Sequence, residues 1–366
     1  MFAKKNVVAA ATLMAMVAAA QAEVKLYGYL DASFGSYENF TGVGDGTDRV
    51  TAVGSGNMMT SFIGFAGSED LGGGLKAEFA LESFIANDTG SSAAVYNKAG
   101  GFWGRASWVG LSGGFGRVIL GQYDNAFFTL GYTYNPFGSS MPFSPTMVSL
   151  YKLTGDSVQP TGLGYNTAWV NSITYETPNF GGFTASLQYG PKESTSTADG
   201  NKNNFAISGA YNAGPLSVMA VYTNSGDNRT TNQAYDTRQK NWGLGASYDF
   251  GVLKLQGQYA LLKSYATATG NDAGKANFFQ IGAAVPVTAA GNLLFSYGQT
   301  KYDDNFTVNG VTAPDGSKLR QISLGYDHSI SKRTGAYVAF TNKKLSDFVI
   351  QDDTANTVAV GVRHSF

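Results

Sequence analysis

The chain of 366 residues has no cysteine, only two histidines, and only 14% charged residues. Without cysteine there is neither a disulfide framework nor a thiolate metal site. A formal net charge of −1 leaves no basic surplus that would argue for nucleic acid. After residue 22 no run of 18 apolar residues occurs, which excludes a bundle of membrane helices. The mean hydropathy of −0.12 is also too polar for one. Catalytic patterns are missing as well. His328 stands at a strand end, and His364 falls on an apolar face beside the terminus, so neither is placed to activate a nucleophile. "GVGDGT" (42–47) and "LGGGLK" (71–76) are Gly-rich but lack the Lys-Ser/Thr ending of a phosphate loop. Asp303-Asp304 and Asp352-Asp353 read as solvated loop acids rather than a cation site. No enzyme, no cofactor and no metal is expected.

What is present points elsewhere. The chain has 47 glycines and 13% aromatics, where ordinary usage is about 7% Gly and about 25% charged residues. Residues 1–22 read as a signal peptide. Lys4 and Lys5 make a positive start, Val7 to Ala20 an apolar stretch, and Ala20-Gln21-Ala22 a small-x-small cleavage site. Cleavage is expected between Ala22 and Glu23, so that residues 23–366 form one exported domain.

Throughout that domain, apolar and polar residues alternate. "EVKLYGYLDASF" sets Val24, Leu26, Leu30, Ala32 and Phe34 against Lys25, Tyr27, Tyr29, Asp31 and Ser33. "NWGLGASYDF" and "VLKLQGQYAL" repeat the pattern, and "TVAVGVRHSF" closes the chain on it. Period two means strands with one apolar and one polar face. The connectors fall into two kinds. Seven are short: "LGGG", "SGGFG", "PNFGG", "NAGP", "DFG", "TAAG" and "SKRT". Eight are long and polar, near 38–57, 87–100, 124–163, 191–202, 226–239, 265–275, 304–317 and 347–354. They join sixteen strands. An even strand count with short turns at one rim and long loops at the other predicts an all-β, antiparallel transmembrane β-barrel. Aromatics at strand ends, such as Tyr189, Tyr222, Tyr248 and Phe366, suit its interface girdles. Val358, Val360, Val362 and Phe366 are then expected to face lipid.

Such a barrel is wide enough for an aqueous channel, so function lies in whatever narrows it. The longest connector, 124–163, holds "YDNAFFTLGYTYNPFGSSMPFSP", too aromatic for disorder. It is expected to fold inward as the constriction loop.

"VKLYGYLDASF", "GFAGSEDLGGGLKAEFALE", "GRASWVGLSGGFGRVILG", "NSITYETPNFGGF", "SKRT" and "GVRHSF" together resemble the general diffusion porins of Gram-negative outer membranes, particularly the beta-proteobacterial type. The resemblance implies a homotrimer of barrels with long extracellular loops and short periplasmic turns, the third loop forming an eyelet. It also implies outer-membrane lipid and lipopolysaccharide as surroundings, and a terminal Phe366 read by the outer-membrane assembly machinery. In the family, acids on the third loop face arginines on the wall. Arg105 occupies a wall arginine here. Phe62, Ala168 and Gln122 stand where basic residues are usual, and "NPFG" (135–138) lacks the loop-tip acid. The eyelet is therefore expected to be less charged and more aromatic than the family norm. Phe62, Phe127, Phe128, Tyr132, Tyr134 and Phe137 are candidates for its lining, and Arg105, Lys25, Glu78, Glu82 and Asp124 for its field.

The functional expectation is a porin passing ions and small hydrophilic solutes by passive diffusion. One rival keeps the fold and makes the channel substrate-selective, with saturable binding of sugars or aromatic acids. A structural or adhesive barrel with a closed lumen is a second, and an outer-membrane hydrolase a third.

Overall fold

A computed structural model describes residues 23–40, 47–92, 101–151, 167–192, 203–225, 237–266, 269–308, 311–347 and 353–366. The expected signal peptide and its Ala22 lie outside these residues, as do 152–163 of the expected constriction loop.

The strands are β1 (Glu23–Phe40), β2 (Thr47–Ser55), β3 (Phe62–Gly72), β4 (Leu75–Ala86), β5 (Ser91–Ser92), β6 (Ala106–Gly113), β7 (Gly116–Asp124), β8 (Ala168–Glu176), β9 (Phe183–Gly190) and β10 (Asn204–Ala213). They continue as β11 (Leu216–Ser225), β12 (Thr237–Asp249), β13 (Lys254–Ala266), β14 (Asp272–Thr288), β15 (Gly291–Asp303), β16 (Thr307–Val308), β17 (Val311–Thr312), β18 (Lys318–Ser329), β19 (Thr334–Ser346) and β20 (Asp353–Ser365). Two helices, α1 (Ala126–Thr133) and α2 (Pro145–Leu150), lie between β7 and β8.

Each long strand pairs antiparallel with its neighbours, and β20 returns to β1, which closes the sheet. β5, β16 and β17 belong to loops, while β2 and β3 form one crossing of the wall, so the barrel has sixteen strands. Closure leaves no free edge for another chain to pair with. All seven short turns fall at the short spacers read from the sequence; six of them carry glycine, and "SKRT" alone has none. At "LGGG", for example, Gly72, Gly73 and Gly74 all take positive φ, which glycine adopts without steric cost.

The expected loop near 38–57 is the exception. β1 runs on to Phe40, and β2 pairs with it through Tyr37↔Val50 and Phe40↔Thr47. The departure from the ladder occurs instead at 56–61, between β2 and β3. The polar run "TDRVTAVGS" alternates Arg49, Thr51 and Val53 against Asp48, Val50 and Ala52, a weak signal that reads as loop until β1 pairs with it.

Outward faces are apolar: Trp242, Leu244, Val358, Val360 and Val362 are each at least 45% exposed. Phe366 lies on the same outer face, with its backbone bonded both ways to Gly28 at 3.2 Å. A Cβ at Gly28 would stand 2.4 Å from the Phe366 ring, so only glycine admits the ring at this seam. Inward faces carry glutamine, serine and threonine. Gln256, Gln258, Gln280, Ser296, Gln321 and Thr341 are buried, because the connector between β7 and β8 covers them.

Candidate channel constriction

That connector leaves the wall at Asp124 and crosses the lumen. Asn125 caps α1 by accepting from the Phe127 amide at 2.9 Å. Ser144 caps α2 by accepting from the Met147 amide at 3.1 Å, with Pro145 in the first turn. Both are helix starts that need no acid.

The helices dock on the lumen side of β11–β18. Phe127, Leu130, Tyr134, Met147 and Leu150 join Met219, Val221, Ala260, Leu262 and Phe278 of the wall in one cluster. Glycines on the wall make the seat. A Cβ at Gly245 would meet Tyr134 at 2.3 Å, at Gly282 Pro136 at 2.6 Å, and at Gly298 Pro145 at 2.4 Å. Gly243 and Gly325 sit under Phe127 and Phe137 in the same way, at 3.2 and 3.0 Å. Wall glutamines then satisfy loop carbonyls that would otherwise be buried unpaired. Gln256 donates to Thr133 at 3.0 Å, Gln258 to Gly131 at 3.2 Å, and Gln321 to Pro142 at 3.0 Å.

The tip is held from the opposite side by residues 56–61. Ser140 donates to the Asn57 carbonyl at 2.7 Å, and Met58 packs with Phe137 and Phe143. This excursion is organised by Asp31, which is fully buried. Its carboxylate accepts from the Met58 and Met59 amides at 2.9 and 2.8 Å and from the Tyr337 hydroxyl at 2.8 Å. Asn57 also donates to Ser33 at 2.9 Å, tying the excursion to β1.

Facing the loop, across β1, β3, β4, β6 and β7, lies a cavity of about 410 Å³. Lys25, Glu78, Glu82, Arg105 and Asp124 all line it, together with Arg117. Arg105 pairs with Glu82, which also accepts from Tyr27, and its guanidinium lies 3.9 Å above the Phe62 ring. Arg117 pairs with Glu78 at 3.3 Å and Glu176 at 3.5 Å, and lies 4.5 Å above Trp108. Lys25 pairs with Glu23 at 3.1 Å. Among the described residues Asp124 makes no ion pair. In α1, burial pushes the Tyr132 phenol above its ordinary range, and the Asp124 carboxylate adds to this. Tyr151, wholly enclosed, is pushed well above it by burial. Both rings are therefore neutral at physiological pH.

The structure thus brings the five charged candidates together and divides the six aromatic ones. Phe127, Tyr134 and Phe137 are only 2%, 1% and 2% exposed. Wedged between loop and wall, they do not present their rings to the channel. The physical reason is the glycine seat, which gives each ring a place to lose its water. Phe62 is buried beneath Arg105. Only Phe128 and Tyr132 stay half-buried on the loop, edge to face at 5.2 Å. Of the substituted positions, Ala168 pairs with Asp124 inside. Gln122 shares the outward face of Leu120 and donates to the Gly104 carbonyl at 2.7 Å, so it is not a lumen position. Sequence reading missed Arg117, although Arg117, Ile119 and Gly121 alternate onto the lumen face. It missed the Asp31 anchor too, for which no local signal exists.

A profile described as Gram-negative porin matches residues 7–347. The chain belongs to the Gram-negative porin family. Outer membrane porin protein 32 of Delftia acidovorans is 35% identical, over 99% of this chain and all of that protein. An outer membrane porin protein of Bordetella pertussis is 30% identical at the same coverage of this chain. Among solved structures, the anion-selective porin from Comamonas acidovorans superposes with a TM-score of 0.73, at 30% identity, over 94% of this chain and all of that one. The porin is therefore an outer-membrane channel and not an enzyme.

Proposed function

We propose that this porin is a homotrimeric, passive diffusion channel for ions and small hydrophilic solutes, and that its constriction is charge-compensated. The observation that carries the reading is the pairing on the wall: Arg105 answers Glu82, and Arg117 answers Glu78 and Glu176. Asp124 adds a negative charge to the same cavity. Rings of charge set pore selectivity at close range, and a paired arginine offers a passing anion little net field. Ion selectivity is accordingly weak and leans toward cations, unlike that of the anion-selective porin from Comamonas acidovorans.

The reversal potential of the purified native oligomer in a planar bilayer under a KCl gradient tests this. A near-zero or cation-leaning value supports the compensated constriction, and a strong anion preference overturns it. Saturable flux of sugars or aromatic acids through the same channel would replace free diffusion with a substrate-selective reading. Residues 1–22 act as the signal peptide in this proposal, with the mature chain starting at Glu23, which N-terminal sequencing of the membrane form checks. Phe366, seated over Gly28, serves as the assembly signal.

A further inference from the structure

Arg105 faces the lumen against the alternation of its own strand. Val109 and Leu111 of β6 point outward and are 55% and 44% exposed. Counting back by twos, Ser107 and position 105 belong to that outer face. Ala106 and Trp108, of the other parity, line the cavity, and yet so does Arg105. The ladder explains why alternation stops there. Glu82↔Ala106 on the β4 side and Ser107↔Gln122 on the β7 side are the last rungs, so position 105 lies beyond both. Past them, the Arg105 amide donates to the Glu82 carbonyl at 3.1 Å.

The segment just ahead of Arg105 is fastened on the other side of the wall. Phe65 of β3 is exposed on the outer face, paired with the equally exposed Leu26, and the Trp103 ring meets it edge to face at 6.0 Å. Phe102, itself exposed, packs against Trp103 at 4.8 Å. Gln122, on the outer face of β7, donates to the Gly104 carbonyl at 2.7 Å, past the last rung of its ladder. The chain thus passes from the outer face at Trp103 to the lumen at Arg105 across the buried Gly104. Inside, the guanidinium pairs with Glu82 and lies over Phe62. Those contacts fix the charged end of a long, rotamer-rich side chain. They leave the turn of the backbone to whatever holds residues 103 and 104.

We propose that Trp103 and Gln122, both outside the channel, are positioning residues for Arg105 and so set the charge of the constriction. Gln122 supplies a bond where the β6–β7 ladder stops, to a carbonyl of a buried residue that needs a partner. Trp103, seated on Phe65, keeps the chain outside until Gly104, so that the next residue enters the lumen. Without these two holds β6 is free to add a rung. Arg105 would then follow its parity to the outer face and leave Glu82 in the lumen without its cation. The inference deepens the charge-compensated reading and rests on it for the effect on selectivity, but not for the geometry of the crossing.

Two measurements on the oligomer in a planar bilayer test this. The chain has no cysteine, so Arg105→Cys introduces a single thiol. Its modification by a charged methanethiosulfonate in the bath is followed as a step in current. Adding Trp103→Ala and Gln122→Ala to that background should slow modification about fivefold, since a hydrogen bond and an aromatic pair are lost together. Trp103→Phe alone, which keeps a ring against Phe65, should react as the background does. The second measurement is a cycle of reversal potentials. With Arg105 present, the Trp103→Ala/Gln122→Ala pair should move the permeability ratio toward cations by about threefold, and in the Arg105→Ala background it should move nothing. A variant that merely loosened the barrel would shift both backgrounds alike. An unchanged modification rate overturns the proposal, and so does an equal shift in the two backgrounds. Trp242→Ala, an outward aromatic on β12, should change neither quantity, and equal slowing there would overturn the proposal as well. If Arg105→Ala alone leaves the potential unmoved, the compensated reading fails while the modification rate still decides the crossing.

Discussion

The two sides of the lumen solve opposite problems. The wall of β11–β18 is built of glycine, glutamine and small side chains, and almost all of it is covered by the constriction loop. The wall of β1, β3, β4, β6 and β7 is built of arginine, glutamate and aromatic rings, and it stays open to the cavity. The first side spends its side-chain volume on fit, leaving out Cβ atoms where Tyr134, Pro136 and Pro145 must come close. The second spends its charges on one another. Position of the constriction is thus a packing problem, and its electrostatics is a wall problem.

Substitutions at three places break or sharpen this contrast. The largest effect belongs to the seat. Gly245→Leu puts side-chain atoms where the Tyr134 ring lies, since even a Cβ would be 2.3 Å away. Overpacking of this kind costs about 3 kcal/mol. Heat resistance of the oligomer should fall, and single-channel conductance should drop as the loop is pushed off the wall into the lumen. Gly257→Ala, whose added Cβ meets nothing closer than 3.6 Å, should leave both unchanged.

Next comes the anchor that holds the loop tip from the other side. Asp31→Asn replaces a carboxylate that accepts two amides and a phenol. Loss of a charge-assisted acceptor costs about 2 kcal/mol. Mean conductance should be preserved while open-channel current noise increases, because the tip keeps its glycine seat but loses its clasp. A quiet channel in this variant would show that Ser140 and Met58 hold the tip without help from Asp31.

The smallest effect is electrostatic. Arg105→Ala leaves Glu82 without its cation. A unit charge about 8 Å from a permeating ion in water is worth about 0.5 kcal/mol, of opposite sign for cation and anion, so the permeability ratio should move toward cations by about sixfold at low salt and less as salt screens the charge. Glu82→Gln should move it a similar distance toward anions. Reversal potentials of the two variants should therefore straddle that of the native channel. If both move the same way, the pair is not acting as a compensated unit.

The sixteen crossings, the two rims and the outward apolar face were all legible in period-two patterning, because each strand faces lipid on one side and lumen on the other. Six of the seven short turns were legible for a chemical reason, since the glycine each carries satisfies turn geometry locally. Legibility failed where two features share one signature. Arg49 and Asp48 in a polar stretch read as loop, yet β1 extends far enough to pair with it. Aromatic residues in a loop read equally as a channel lining or as packing elements, and Phe127, Tyr134 and Phe137 prove to be packing. Conversely, the charged candidates were recoverable because strand parity puts Glu78, Glu82 and Lys25 inside whatever the loop does.

By itself, then, the sequence determined a closed membrane barrel with a folded third loop, since alternation and turn chemistry act over a few residues at a time. Only the tertiary structure decided which arginine meets which glutamate, which glycines receive the loop, and that Asp31 holds residues 56–61 against its tip. Those partners lie on different strands, 23 residues apart for Arg105 and Glu82 and 306 for Asp31 and Tyr337. Contacts of that range depend on register and closure, which no local pattern encodes.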